Sequence, residues 1–257
     1  MRSQAQIFTL NHLNSSAQID TGSQNGMFSW KVDGQQQLNQ QWFWYRIGNS
    51  SPESSINTIS APSPTTPDAR TLYTTYNNGA YGVQVIYFLT GQSPGSGQSQ
   101  INETITITNA TATALDFHFF QYSDFEMGGT PGGDTIQLGQ NNFGKFNEAD
   151  QSEGTAFFSE SDITGLNSGA NHGEAAYYNA TLVKLNDGSP TTLNDNPSEL
   201  VPGDVTWAFE WDFTIAPGSS VGISKLKTLQ IPEPSTLALV SCGLFALAVH
   251  RRARRSR

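Results

Sequence analysis

The chain has 257 residues, only 14 % of them charged and 11 % aromatic, with a net charge of −9 and one cysteine. The aromatic content supplies a core and excludes disorder, and the acidic balance excludes nucleic acid as a partner. A lone cysteine, Cys242, leaves no disulfide framework, and His12, His118, His172 and His250 show no metal-ligand spacing, so neither a metal nor a cofactor is expected.

In chain order, Ile7 to Leu10 forms a first strand. Met27 to Val32 then puts Phe28, Trp30 and Val32 on one face before the Asp33-Gly34 turn. Gln41 to Ile47 is too aromatic for an exposed edge. Residues 81–90 and 101–108 form a hairpin across a Gly/Ser/Pro loop, and a further strand at 113–122 follows. From Ser123 to Gly154 the chain is rich in Gly and Asn and is expected to hold short strands at most, with a short helix near Thr181 to Leu185. The clearest strand is Val205 to Ile215, where Val205, Trp207, Phe209, Trp211, Phe213 and Ile215 alternate with smaller or polar residues. After the Ala216-Pro217-Gly218 turn, Val221 and Ile223 begin a return strand. The expected fold is therefore all-β, an antiparallel β-sandwich over residues 1–228, with Trp207, Phe209, Trp211 and Phe213 on its inner face.

Few residues in this body point to chemistry. Gly91-Gln92-Ser93-Pro94-Gly95 fits the G-x-S-x-G pattern, but a strand follows it where a nucleophile elbow needs a helix, so it is read as a loop. Asp124, Glu126 and Asp134 flank two glycine pairs and could offer hard oxygens to Ca²⁺; solvated turn acids are the expected alternative. His118, between two phenylalanines, is either a catalytic base or a hydrogen-bonded strand histidine, the second being expected. Thr104, Thr106 and Thr108 line one strand face as an ice-contacting row would, yet a single row fits an ordinary solvent face. Trp42, Trp44 and Tyr45 would stack on sugar rings if exposed, and core packing is expected for them instead. No catalytic residue is assigned.

The tail is more specific. Pro232-Glu233-Pro234 precedes an apolar run, Leu237 to Val249, and then Arg251, Arg252, Arg254, Arg255 and Arg257. Apolar residues followed at once by arginines indicate a single short transmembrane helix over 237–249 whose basic end stays cytoplasmic. These three parts, in this order at the C-terminus, resemble the PEP-CTERM sorting signal, also called the ice-binding protein C-terminal domain. The resemblance covers residues 229–257. It implies that Pro232, Glu233 and Pro234 are the recognition motif of an exosortase-type membrane transpeptidase, and that the arginines anchor the cytoplasmic end. The segments QQWFWYRIG, FFQYSDFEMGGTPGGDT and VTWAFEWDFTIAPG also resemble the acidic β domains of other PEP-CTERM proteins.

The resemblance further implies an inner-membrane precursor that is released or re-attached at the cell surface, in company with extracellular polysaccharide. Residues 1–20 hold no apolar core of the length a signal peptide needs, so an in-frame leader upstream of Met1 is expected. The function that follows is an exported surface or matrix β-sandwich, non-catalytic and associated with exopolysaccharide or biofilm. A carbohydrate- or Ca²⁺-binding module is the alternative, and a secreted hydrolase is third.

Overall fold

Alternating polar and apolar residues, bounded by Gly, Pro, Asn and Asp turns, set the strands of the body. The structure is a computed structural model and describes residues 6–232. The strands in chain order are β1 (Ile7–His12), β2 (Ser15–Asp20), β3 (Gly26–Val32), β4 (Gln35–Gln36), β5 (Leu38–Ile47) and β6 (Ser54–Ser55). Next come β7 (Ser63–Asp68), β8 (Thr71–Asn77), β9 (Tyr81–Gly91), β10 (Gln98–Asn109) and β11 (Leu115–Phe125). They are followed by β12 (Asp134–Gln140), β13 (Phe146–Glu153), β14 (Ala156–Asp162) and β15 (His172–Tyr177). After the short helix α1 (Ala180–Lys184) the chain ends in β16 (Ser198–Gly203), β17 (Val205–Ile215) and β18 (Ser220–Gln230).

Two nine-stranded sheets result. The first runs β1-β2-β3-β5-β11-β17-β15, with β4 and β6 attached at its side, and the second runs β16-β12-β13-β14-β18-β10-β9-β8-β7. Pairing is antiparallel apart from a brief parallel contact between β3 and β5 near Gly26. The architecture is all-β and sandwich-like, as the alternation requires. Aromatic rings fill the space between the sheets: Phe125 stacks on Phe158 at 3.9 Å, and Phe43 on Phe119 at 5.4 Å. Trp207, Phe209 and Trp211 are buried and Phe213 is half-buried, all packed in the core.

The stretch from Ser123 to Gly154 departs from its reading. It contains β12 and β13, of 7 and 8 residues, because Ile136, Leu138 and Ala149 are core residues spaced by Gln and Asp. Their flanking polar residues hid a strand pattern that the sheet stabilises through tertiary packing. β17 also differs from a half-buried strand, since both of its faces are covered from Val205 to Trp211.

Four charges sit inside the sandwich. On the inner face of the second sheet, Glu103 receives Lys225 Nζ at 2.6 Å and Lys227 Nζ at 3.0 Å. Glu160 lies 3.3 Å from Lys227 Nζ and 3.7 Å from Lys225 Nζ, and Gln121 of the opposite sheet donates to both of its oxygens. All four charged side chains are about fully buried. Burial alone would raise the Glu103 carboxyl, but the two lysines outweigh it and hold the group below its ordinary value. Removing one cation strands a carboxylate in a dry core, so Lys227→Met is expected to cost about 3–5 kcal/mol in urea-induced unfolding. A loss below about 1 kcal/mol would contradict this account of the network.

Candidate active site

Register brings together side chains that are far apart in sequence. Across the first sheet Arg46 pairs with His118, and His118 pairs with Asp212. One step along, Phe120 pairs with Glu210, and Glu210 with His172. Directly paired residues share a face, so Arg46, His118, Glu210, Asp212 and His172 all project from the face turned away from the second sheet. Trp44 and Phe120 share this outer face with the polar residues, while Phe43, Phe119, Phe209 and Trp211 turn inward.

His118 Nδ1 is in hydrogen-bond contact with Asp212 Oδ1 and lies 3.7 Å from Glu210 Oε1. Its other ring nitrogen, Nε2, is buried without a hydrogen-bond partner, 3.5 Å from Asp116 Oδ1. Glu210 Oε1 is 3.6 Å from Arg46 Nη2, and Arg46 Nη1 donates to Glu53 at 2.8 Å. His172 contacts both oxygens of Asp195 through Nδ1 at 3.1 Å, while its Nε2 is 3.8 Å from Asp212 Oδ2. Among the described residues, His118, Glu210 and Asp212 are the one set of three potential metal ligands whose donor atoms all lie within 4.8 Å of one another.

A strap over residues 187–197 covers part of this face. Thr191 N–H donates to Glu53 Oε1 at 2.9 Å, and Leu193 N–H to Glu210 Oε2 at 2.9 Å. Behind the strap, Glu174 is held by Thr181 and Lys184 of α1. Glu210 is consequently 1 % exposed, whereas the side chains of Asp212 and His172 are 28 % and 32 % exposed and form the open edge. Burial, with Asp212 nearby, pushes the Glu210 carboxyl up to about 7 despite the Leu193 N–H and Arg46. Beside Asp212 a cleft of about 210 Å³ opens, lined also by Lys145, Asp162, Asn171 and Trp211.

The residues singled out in the sequence fall elsewhere, with one exception. His118 is in the site, and it is a hydrogen-bonded strand histidine as expected; the partners that give it chemistry come from β5, β15 and β17. Histidine spacing could not reveal them, because His118 and His172 meet Asp212 through sheet register. The Gly91–Gly95 segment is the β9–β10 loop with no helix after it. Thr104, Thr106 and Thr108 are half-buried on β10. Trp42 and Trp44 are fully buried, donating to Ser55 and Asn186, and Tyr45 packs against Phe117. Of the sorting residues Pro232 is described; Glu233, Pro234, the helix expected over 237–249 and the five arginines lie outside the described residues. Among the described residues no helix is long and apolar enough to cross a membrane.

Of Asp124, Glu126 and Asp134, expected as solvated turn acids, the first two are half-buried. Asp134 is buried, and neither of its carboxylate oxygens has a hydrogen-bond partner. Burial and the neighbouring Glu153 raise it to about 7, and burial, with Asp204 and Glu126 adding to it, raises Asp124 to about 6.

Comparison with known proteins separates the tail from the body. Residues 230–255 match the family described as the PEP-CTERM protein-sorting motif. The chain carries a PEP-CTERM sorting signal. No curated protein matches the sequence. Solved structures do share the fold. A bacterial glucoamylase complexed with acarbose superimposes with a TM-score of 0.62 at 11 % identity, over 95 % of this chain and 35 % of that one. A putative aldose 1-epimerase from Escherichia coli K12 gives 0.56 at 10 % identity, covering 88 % and 99 % of the two chains. A galactose mutarotase-like protein from Lactobacillus casei ATCC 334 gives 0.53 at 10 % identity, covering 88 % and 100 %. The chain thus spans about a third of the glucoamylase and nearly the whole of the other two. These likenesses correct the expectation of a non-catalytic body, since the fold is one that enzymes acting in carbohydrate chemistry use. At such identities the likeness establishes fold alone.

Asp134 carries a pH-dependent stability effect with a definite sign. Its folded-state pKa, about 7, lies above the ordinary value of about 3.9. The folded protein therefore holds this proton more tightly than the unfolded chain. The associated stability is full below about pH 4 and is lost as pH rises through 7. Asp134→Asn removes the charge, and is expected to raise the melting temperature at pH 8 by about 2–5 °C, allowing for solvent screening, with no gain at pH 4. Thermal unfolding at the two pH values checks both halves.

Proposed function

We propose that this is an exported, surface-sorted protein whose body binds a sugar and exchanges protons with it at His118 and Glu210. The observation that carries the reading is the His118–Asp212 contact beside a buried Glu210 whose pKa lies near neutrality. The fold shared with a putative aldose 1-epimerase supports the choice of an aldose as ligand.

Interconverting the two anomers of an aldose needs one group to take the proton of the anomeric hydroxyl and another to protonate the ring oxygen. The C1–O5 bond then breaks to give the open-chain aldehyde, and closure in reverse returns both protons. A base and an acid on one sheet face, one of them a carboxyl pushed up to about 7 by burial, suit this exchange. Asp212 orients the His118 ring, and Arg46 supplies a fixed positive charge beside Glu210. The open edge at Asp212 and His172 and the adjoining cleft give a polar approach for hydroxyl groups. The strap at 191–193 must lift for a ring to reach Glu210, because Leu193 N–H occupies one of its oxygens.

Exchange spectroscopy of glucose and galactose anomers in the presence of the protein tests this. Wild type is expected to accelerate anomer exchange, and Glu210→Gln to lower the acceleration by about 10²–10⁴-fold. Equal rates with and without wild-type protein would remove the reading. The sorting half is tested by intact mass: protein recovered from the cell surface of a strain with a working exosortase should lack Arg251 to Arg257. Retention of those arginines would argue against processing at the Pro232-Glu233-Pro234 motif.

A further inference from the structure

We propose that the same site takes a divalent transition-metal cation of the Zn²⁺ type, held by His118, Glu210 and Asp212 with His172 as a fourth donor, in competition with the sugar. The proposal rests on the sugar reading only for the competition; the cation site stands on its own geometry.

Three features point to a cation. The first is the donor set: an imidazole nitrogen and two carboxylate oxygens lie within 4.8 Å of one another. A tetrahedral zinc with bonds of about 2.0–2.1 Å places its ligands about 3.3 Å apart. His118 Nδ1 and Glu210 Oε1, at 3.7 Å, need to close by only a few tenths of an ångström. Asp212, now touching His118, needs to swing outward, and its partly exposed side chain at the edge of the site is free to do so.

The second feature is the backing of both histidines. A metal-bound histidine generally presents its far nitrogen to a carboxylate or carbonyl, which fixes the ring and raises its basicity. His118 offers Nδ1 to the trio while its buried, otherwise unpartnered Nε2 faces Asp116 at 3.5 Å. His172 has the reverse arrangement: Nδ1 is held by Asp195 and Nε2 is aimed at Asp212. Two independent carboxylate–histidine pairs thus converge on one carboxylate.

The third is charge. Glu210 and Asp212 stand side by side, with Asp116 and Asp195 behind; Arg46 faces Glu210 but is shared with Glu53, and Lys145 lines the cleft beside Asp212. A divalent cation would relieve that concentration of negative charge. The nitrogen donors favour a borderline metal over Ca²⁺ or Mg²⁺, which prefer oxygen alone. Because Glu210 and His118 are also the groups assigned to proton exchange, a bound metal would occupy both, and the sugar and the cation would exclude each other.

Calorimetric titration of the metal-stripped full chain with ZnCl₂ tests the site. One equivalent is expected to bind, with affinity falling at least tenfold in His118→Ala and in Asp212→Asn, and unchanged in Glu153→Gln, which alters the separate acidic cluster near Asp134. Circular dichroism of each variant confirms folding, and His172→Ala, at the partly exposed edge, provides a variant less demanding on the core. Absence of zinc binding, or equal binding by wild type and His118→Ala, would overturn the site. Zinc that binds through His118 yet leaves the affinity for galactose unaltered would overturn the competition. Zinc that binds through His118 when no sugar binds at all upholds the cation site and strikes at the sugar reading alone.

Discussion

The sandwich depends on placing two lysines and two glutamates where no water reaches them. Direct pairing sets Glu103 opposite Lys225 across β10 and β18, and Glu160 opposite Lys227 across β14 and β18. A slip of one residue in either ladder would turn β18 over, send both lysines to solvent and leave two carboxylates in the core. Apolar residues tolerate near-misses in packing; buried charges do not. Three strands of the second sheet are therefore locked in register by electrostatics, and Gln121 ties that lock to β11 of the first sheet. β11 is also the strand that carries His118, so the interior network and the outer site share a support.

The first sheet has both faces covered along the middle of β5, β11 and β17. Its inner face meets the aromatic core, and its outer face is roofed by α1 and the strap. The roof is polar: its backbone N–H groups at Thr191, Leu193 and Asn194 are received by Glu53, Glu210 and Glu174. Backbone donors must be satisfied wherever they are buried, and here acidic side chains on the sheet perform that task. The consequence is chemical. Carboxylates that hold a roof are desolvated, and desolvation moves Glu210 toward neutrality. A residue that looks structural from its hydrogen bond to Leu193 acquires, by that burial, the pKa of an acid–base group.

How much of this was legible in the chain depended on whether the signal was local. Val205–Ile215 declared itself by alternation, since one strand face is enough to see period two. β12 and β13 did not, because their core residues are few and their remaining positions carry Gln, Glu, Asp and Asn, which are poor strand formers alone. The even positions Glu210 and Asp212 were visible only as polar spacers between aromatics, and nothing local separated a solvated spacer from a buried acid. That distinction is made by the strap, some 15–20 residues earlier in the chain. His118 drew notice for its position between two phenylalanines, yet its partners Asp212 and Arg46 lie 94 and 72 positions away. The tail was the opposite case, its three parts being contiguous and carried by composition alone.

The tail and the site are related through β18. Ile231 is buried and donates its N–H to Gly97 O at 2.7 Å, so the body still holds the chain one residue before Pro232. Gly97, at φ +65°, has Ile231 O only 1.9 Å from where a Cβ would stand, so a side chain there would collide with this anchorage. At the other end of β18, Gly222 and Ile223 line the cleft next to Asp212. Eight residues of extended strand separate Gly222 from Gln230, about 27 Å. Attachment through the C-terminus would therefore hold the protein by one end of the sandwich and leave the mouth of the site at the other. For a protein tethered at a surface, that disposition keeps the polar edge at Asp212 and His172 clear of the attachment point.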